Sequence, residues 1–195
     1  PKKVFSNDMN GIRAMRSIIN QGGIVAFSPE GTSSVYGCNQ PIVAGTGRLL
    51  QFFNVPVYLM HLEGAYLTSH KVDISDRIGK VNVKITKLFE KDQLKGMKPS
   101  DIDDIINEAF RHDDYEWNKT ARIKYKTKGK QCDRLDDLLY KCPKCGKEHI
   151  IKAGNGKIEC TNCGNGAYMN EYYDFIPFND ECKIPVSPSA WMAYQ

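Results

Sequence analysis

Ile24-Val25-Ala26-Phe27 is a short, wholly apolar run, and the polar turn Ser28-Pro29-Glu30-Gly31-Thr32-Ser33-Ser34 follows it directly. A run of this kind suits a strand buried on both faces. Upstream, Met9, Ile12, Met15, Ile18 and Ile19 fall on one face of a helix over Met9–Gln21, which Asp8 can cap and Gly22-Gly23 can stop. Downstream, Ala44–Asn54 reads as a second helix and Val55-Pro56-Val57-Tyr58-Leu59-Met60 as a second buried strand. Lys71–Ile74 and Lys80–Phe89 extend the strand content, the latter alternating through Val81, Val83 and Ile85. Strand, helix and strand joined by short connections predict an α/β fold, a mostly parallel sheet flanked by helices with right-handed crossovers. A further helix starts at Pro99-Ser100, with Ser100 as cap and Asp103 as its partner, and is expected to run on toward Trp117.

The bulk properties set the limits of this reading. The chain has 195 residues, 41% hydrophobic and 26% charged, enough for one medium domain with a small module and unlike disordered or collagen-type chains. A net charge of +4 is too weak to imply nucleic acid by itself. No apolar run approaches the roughly 18 residues of a membrane span, and the start shows no signal-peptide pattern. Opening on Pro1, inside a structured pattern, the chain reads as a fragment.

Four of the seven cysteines form two pairs, Cys142-Pro-Lys-Cys145-Gly146 and Cys160-Thr-Asn-Cys163-Gly164. This is metal-ligand spacing rather than a disulfide framework, and each following glycine lets the knuckle turn at positive φ. Four thiolates brought together suit a structural Zn²⁺ with no open position for water or substrate. Between the pairs, Glu148–Lys152 and Lys157–Glu159 read as short strands joined by Gly154-Asn155-Gly156, a hairpin signal. The expectation is a zinc ribbon. Cys38, Cys132 and Cys182 have no spacing partner and read as small buried or half-buried residues. Free thiols beside such a ribbon suggest a reducing, cytoplasmic setting.

The expected organisation is therefore a partial α/β domain over 1–118, a basic linker over 119–137, the ribbon over 138–178 and a C-terminal segment over 179–195. Lys119–Lys130 carries six basic residues in twelve. The favoured reading is a solvated linker; the alternative is a patch meeting anionic headgroups at a membrane surface.

At the carboxyl end of a strand, the Ser28–Ser34 turn sits where open α/β sheets bind ligands. Gly31 lets backbone approach a ligand, and the hydroxyls of Thr32, Ser33 and Ser34 can donate to an anion. Glu30 suits hydrogen bonds from loop amides, a histidine or a substrate hydroxyl. The same composition serves equally for an ordinary strand-end loop in which Glu30 only caps.

Phe27-Ser28-Pro29-Glu30-Gly31-Thr32-Ser33-Ser34 resembles the F-P-E-G-T-R-S motif of the glycerophosphate acyltransferase family, the 1-acyl-sn-glycerol-3-phosphate acyltransferase type. Gly45, Val55-Pro56-Val57, Gly64 and the strand Gly79–Leu88 continue the likeness over residues 8–118, and the ribbon resembles a C-terminal appendage of some members. The resemblance implies acyl transfer from acyl-CoA or acyl carrier protein to a glycerophosphate or lysophosphatidate hydroxyl, peripheral to the inner face of the cell membrane. It implies acceptor binding by Glu30, Gly31, Thr32, Ser33 and Ser34. Two departures stand out. Ser33 occupies the place of the family arginine that is thought to meet phosphate, and Arg48 is one candidate to replace it. The family's catalytic His-x4-Asp motif is missing, since none of His61, His70, His112 and His149 has Asp five positions on, so the motif is expected upstream and this chain alone is expected to be inactive. Two further readings remain: a degenerate acyltransferase without catalysis, and a ribbon module binding nucleic acid or protein, with nucleic acid the less favoured partner.

Overall fold

The computed structural model describes residues 9–195. In chain order the elements are α1 (Met9–Asn20), α2 (Thr46–Phe53), β1 (Val57–Glu63), α3 (Ala65–Thr68), β2 (Asn82–Phe89), α4 (Pro99–Phe110), α5 (Asp114–Ala121), β3 (Ile151–Gly154), β4 (Lys157–Cys160), β5 (Gly166–Met169), β6 (Phe175–Pro177) and α6 (Pro188–Tyr194). The Asp8 cap lies outside the described residues.

The sheets correct the expected architecture. β1 pairs with β2 alone, and β3-β4-β5-β6 form a separate sheet with antiparallel pairing throughout. Helices combined with antiparallel pairing replace the mostly parallel sheet. Ile24–Phe27 forms no strand: Ile24 is 93% exposed and Phe27 41%. An apolar run becomes a buried strand only when neighbours take its backbone hydrogen bonds and a layer covers each face. Among the described residues nothing pairs with this run. Lys71–Ile74 is likewise irregular.

The chain divides into two compact units. The first takes the described residues up to Thr32, Pro41–Tyr58 and Lys87–Ala109. Its core is Ile42, Leu50, Phe53, Phe89, Leu94, Ile102 and Ile106. Here α2 meets α4 closely, because Gly47 has no side chain: a Cβ there would stand 2.6 Å from the Pro99 carbonyl oxygen. Asp103 on α4 accepts the backbone N–H groups of Gly45 (3.1 Å) and Gly47 (2.6 Å), two donors that a helix start leaves without intrahelical partners. α1 buries none of its residues.

The second unit takes Ser33–Gln40, Leu59–Thr86 and Phe110–Gln195. Asp113 ends the expected long helix and starts α5 instead, its carboxylate accepting the N–H groups of Tyr115 (2.8 Å) and Glu116 (3.1 Å). One continuous core runs from Tyr66, Leu67, Tyr115 and Tyr125 through Cys132, Leu135 and Leu139 to Ile151, Ile158, Met169 and Trp191. Ribbon and preceding segments therefore share an interior. The segment expected as a linker is woven into it: Tyr125 and Thr127 are buried, and Lys126 bridges Ile78. Tyr125 N–H donates to the Glu171 carbonyl (2.8 Å), and Gln131 Nε2 to the Met169 carbonyl (2.6 Å). The last segment closes the ribbon: Trp191, fully buried, donates from Nε1 to the Lys141 carbonyl at 2.9 Å.

Candidate functional site

Cys142, Cys145, Cys160 and Cys163 converge, with all four ligand atoms within 4.8 Å of one another. The local sequence explains the convergence. Gly146 and Gly164 take φ of +72° and +69°, and their N–H groups return to the carbonyls of Cys142 (2.9 Å) and Cys160 (3.0 Å). The two knuckles are linked through β3 and β4, whose Asn155-Gly156 turn has both residues at positive φ and sets Gly154 opposite Lys157. That is a two-residue type I′ hairpin.

The spacing fits a tetrahedral metal. Sγ···Sγ separations are 3.8 Å for Cys142–Cys163, 3.8 Å for Cys145–Cys160 and 3.5 Å for Cys160–Cys163. A tetrahedron with Zn–S bonds of about 2.3 Å has edges of about 3.8 Å. Donors surround the sulfurs: Asn162 Nδ2 lies 3.7 Å from Cys145 Sγ and Asn165 Nδ2 3.8 Å from Cys142 Sγ. The Lys147 N–H on its sulfur is the main cause that brings the Cys145 thiol down to about 7, whereas burial pushes Cys160 up to about 12. Four adjacent sulfurs cannot all ionise without a cation to compensate them, so this group could hold a metal ion such as zinc.

The loop residues fall differently. In the first unit, Pro29 is buried and its carbonyl accepts the Val43 N–H at 2.7 Å. Glu30 is half-buried, while Gly31, at φ +69°, and Thr32 are exposed. In the second unit Ser33 is exposed and Ser34 half-buried. Ser34 Oγ accepts the Gly37 N–H (2.9 Å) and donates to the Cys38 carbonyl (2.7 Å), closing a turn. Lys71 Nζ donates to Ser33 Oγ at 2.6 Å. Nothing in the pattern of the sequence signalled this contact across 38 positions.

The four histidines lie in different surroundings. His112 Nε2 lies 2.6 Å from Asp114 Oδ1, and that carboxylate also accepts the Gly64 and Tyr66 N–H groups at 2.6 and 2.7 Å. The hydrogen bond to Asp114 raises the His112 pKa, while burial lowers that of His61, whose ring centroid lies 5.7 Å from the His112 ring. His149 stacks on Tyr140. His70 is 1% exposed, stacked on Tyr66 at 4.9 Å, and among the described residues both its ring nitrogens lack a hydrogen-bond partner. Beside it lies Arg77, whose buried guanidinium meets Asp73 Oδ2 (2.6 Å) and the carbonyl of Lys130 (3.0 Å).

No family model, curated protein or solved structure matches the chain. Among the described residues no helix is long and apolar enough to cross a membrane.

Proposed function

We propose that the chain is the acceptor-binding part of an acyltransferase of phospholipid synthesis, with a structural zinc ion in the four-cysteine site. What supports the acyl-transfer reading is the Phe27–Ser34 motif together with Val55-Pro56-Val57. The motif's Gly31 and Thr32 face solvent behind a Pro29 anchored to Val43. In the reaction a histidine, oriented by aspartate, takes the proton of a glycerol hydroxyl. The oxygen attacks the carbonyl of acyl-CoA or acyl carrier protein, backbone donors steady the oxyanion, and the thiol leaves as the ester forms. The His112–Asp114 pair does not have the His-x4-Asp spacing, and its carboxylate is shared with the Gly64 and Tyr66 N–H groups. The base is assigned instead to the His-x4-Asp motif that the resemblance expects. Zinc is proposed because four sulfurs at near-tetrahedral spacing suit it. It completes the interior that the ribbon shares with the rest of its unit.

The binding-module reading has less support. Half of its basic run is already paired with acids: Lys119 with Glu116, Arg122 with Asp174 and Lys124 with Glu171.

The test is thiol release from acyl-CoA and from acyl carrier protein by the full-length gene product, offered glycerol phosphates and lysophosphatidate. Acceptor-dependent release that Glu30→Ala abolishes, with the circular dichroism unchanged, is the expected result. No release with any donor–acceptor pair would remove the proposal. Metal analysis should return one zinc per chain.

A further inference from the structure

The loop supplies no arginine at position 33, yet a cation stands there. Lys71 Nζ sits 2.6 Å from Ser33 Oγ, delivered from a different stretch of the chain. We propose that Lys71 and Ser33 form an anion subsite for a phosphate monoester, with Lys71 as the residue that reads the charge. The inference deepens the acyl-transfer reading and, in its substrate assignment, rests on it.

The chemistry follows from which groups are spent. The ammonium uses one of its three N–H bonds on Ser33 Oγ, leaving two for an incoming anion. Because Ser33 accepts from Lys71, its own O–H is free to donate outward. No acceptor among the described residues takes the backbone N–H of Ser33 or Ser34. The Lys71 ammonium and the exposed Ser33, with its hydroxyl and main-chain N–H, together offer a donor set suited to the oxygens of a phosphate. Nor is the ammonium cancelled by an acid: Lys71 makes no ion pair among the described residues. The nearby Asp73 carboxylate is committed to Arg77 (2.6 Å) and to the hydroxyl of Ser75 (2.6 Å).

The two halves of the subsite are held in register from below. His70, the residue before Lys71, is fully buried and stacks on Tyr66. Tyr66 in turn donates its hydroxyl to the Val35 carbonyl at 2.7 Å, two residues beyond Ser33. The Ser34 turn and the bond from His112 N–H to Asn39 Oδ1 (2.9 Å) fix the same loop. A lysine on a long stem is ordinarily a mobile point charge; here the neighbours of the two residues, His70 and Val35, are joined through Tyr66. Arg48, the other candidate, is an exposed residue of α2.

The test is a titration of the zinc-loaded chain, followed by amide chemical shifts, with sn-glycerol 3-phosphate, inorganic phosphate, glycerol and lysophosphatidate in neutral detergent. Shifts at Ser33, Ser34 and Lys71 with the phosphates but not with glycerol are expected. Lys71→Met should weaken binding about tenfold or more, and Lys71→Arg should largely retain it. Tighter binding of the esters than of inorganic phosphate would identify a lipid precursor as the source, and equal binding would identify free phosphate. Unchanged affinity in Lys71→Met, or shifts confined to other residues, would overturn the subsite. The outcomes separate it from the parent reading. Acyl transfer that survives Lys71→Met with unchanged acceptor KM sinks the subsite alone. Phosphate binding at Lys71 in a protein that transfers no acyl group sinks the acyl-transfer reading alone.

Discussion

The Cys142–Cys163 region and the Ile24–Phe27 region are both short and both clear in the sequence, yet they end in opposite states. The first is enclosed: its sulfurs converge, Asn165 is buried among them, and Trp191 seals the interior beneath. The second leaves Ile24 at 93% exposure. The difference lies in where the information sits. Cysteine spacing, knuckle glycines and an Asn-Gly turn carry their own geometry. A four-residue apolar run specifies only that it wants covering, and is silent on what covers it.

The largest effect that would break this comparison concerns the metal. Chelation, or Cys160→Ser, should unfold the ribbon, since structural zinc sites contribute on the order of 10 kcal/mol to folding. The continuous core predicts that the loss spreads to the Tyr66–Tyr125 aromatics. Both tryptophans, Trp117 and Trp191, belong to this unit, so fluorescence and near-ultraviolet dichroism read it directly. A ribbon that melts while the aromatic dichroism persists would show two interiors where the structure has one.

Next in size is Trp191→Ala. It removes a fully buried indole and its bond to Lys141, and should cost about 3–5 kcal/mol in denaturant unfolding. A loss below about 1 kcal/mol would mean that α6 is not part of the core.

A smaller, pH-dependent effect belongs to His70. Burial, with the charge of Arg77 behind it, lowers its pKa from 6.5 to about 3, despite the opposing charge of Asp73. The folded chain therefore keeps this imidazole neutral where the unfolded chain protonates it. The resulting stability is present above pH 6.5 and drains away as the pH falls toward 3, by at most about 1.4 kcal/mol per pH unit. Acid also competes for the cysteine sulfurs, so the measurement is the difference in slope between the chain and His70→Phe over pH 6.5 to 5.5. Equal slopes would mean that His70 reaches solvent. The smallest expectation sharpens the other side of the comparison: Ile24→Asn should change stability by less than about 0.5 kcal/mol, and a larger loss would reveal a contact for the run.

What was legible in the sequence follows the same division. The positions of α1, α2, β2, the start of α4 at Pro99 and the hairpin between the cysteine pairs are near their expected places, but α1 buries no residue and Val83 and Ile85 of β2 are exposed, so apolar periodicity located these elements without saying what covers them. The parallel sheet was inferred from element order alone, and order does not fix pairing. β5 and β6 were missed because Gly166–Met169 and Phe175–Pro177 are too short to show a period. The second helix start at Asp113 was readable, since Glu116 follows at capping-box spacing, but the apolar run before it masked the break. Lys71 and Arg77 could not be found in this way, because each acquires its meaning from a residue 38 or 53 positions distant.

The placement of the thiols makes the molecule its own reporter. Burial drives Cys132 to about 12, and burial with the Asp113 charge does the same for Cys38, so neither is a ready nucleophile toward an alkylating reagent. A metal held by the four clustered sulfurs would leave half-exposed Cys182 as the first to be labelled. A mass spectrum taken after brief alkylation would then count adducts as a gauge of integrity, stepping upward by four when the ion is withdrawn and again when the interior opens.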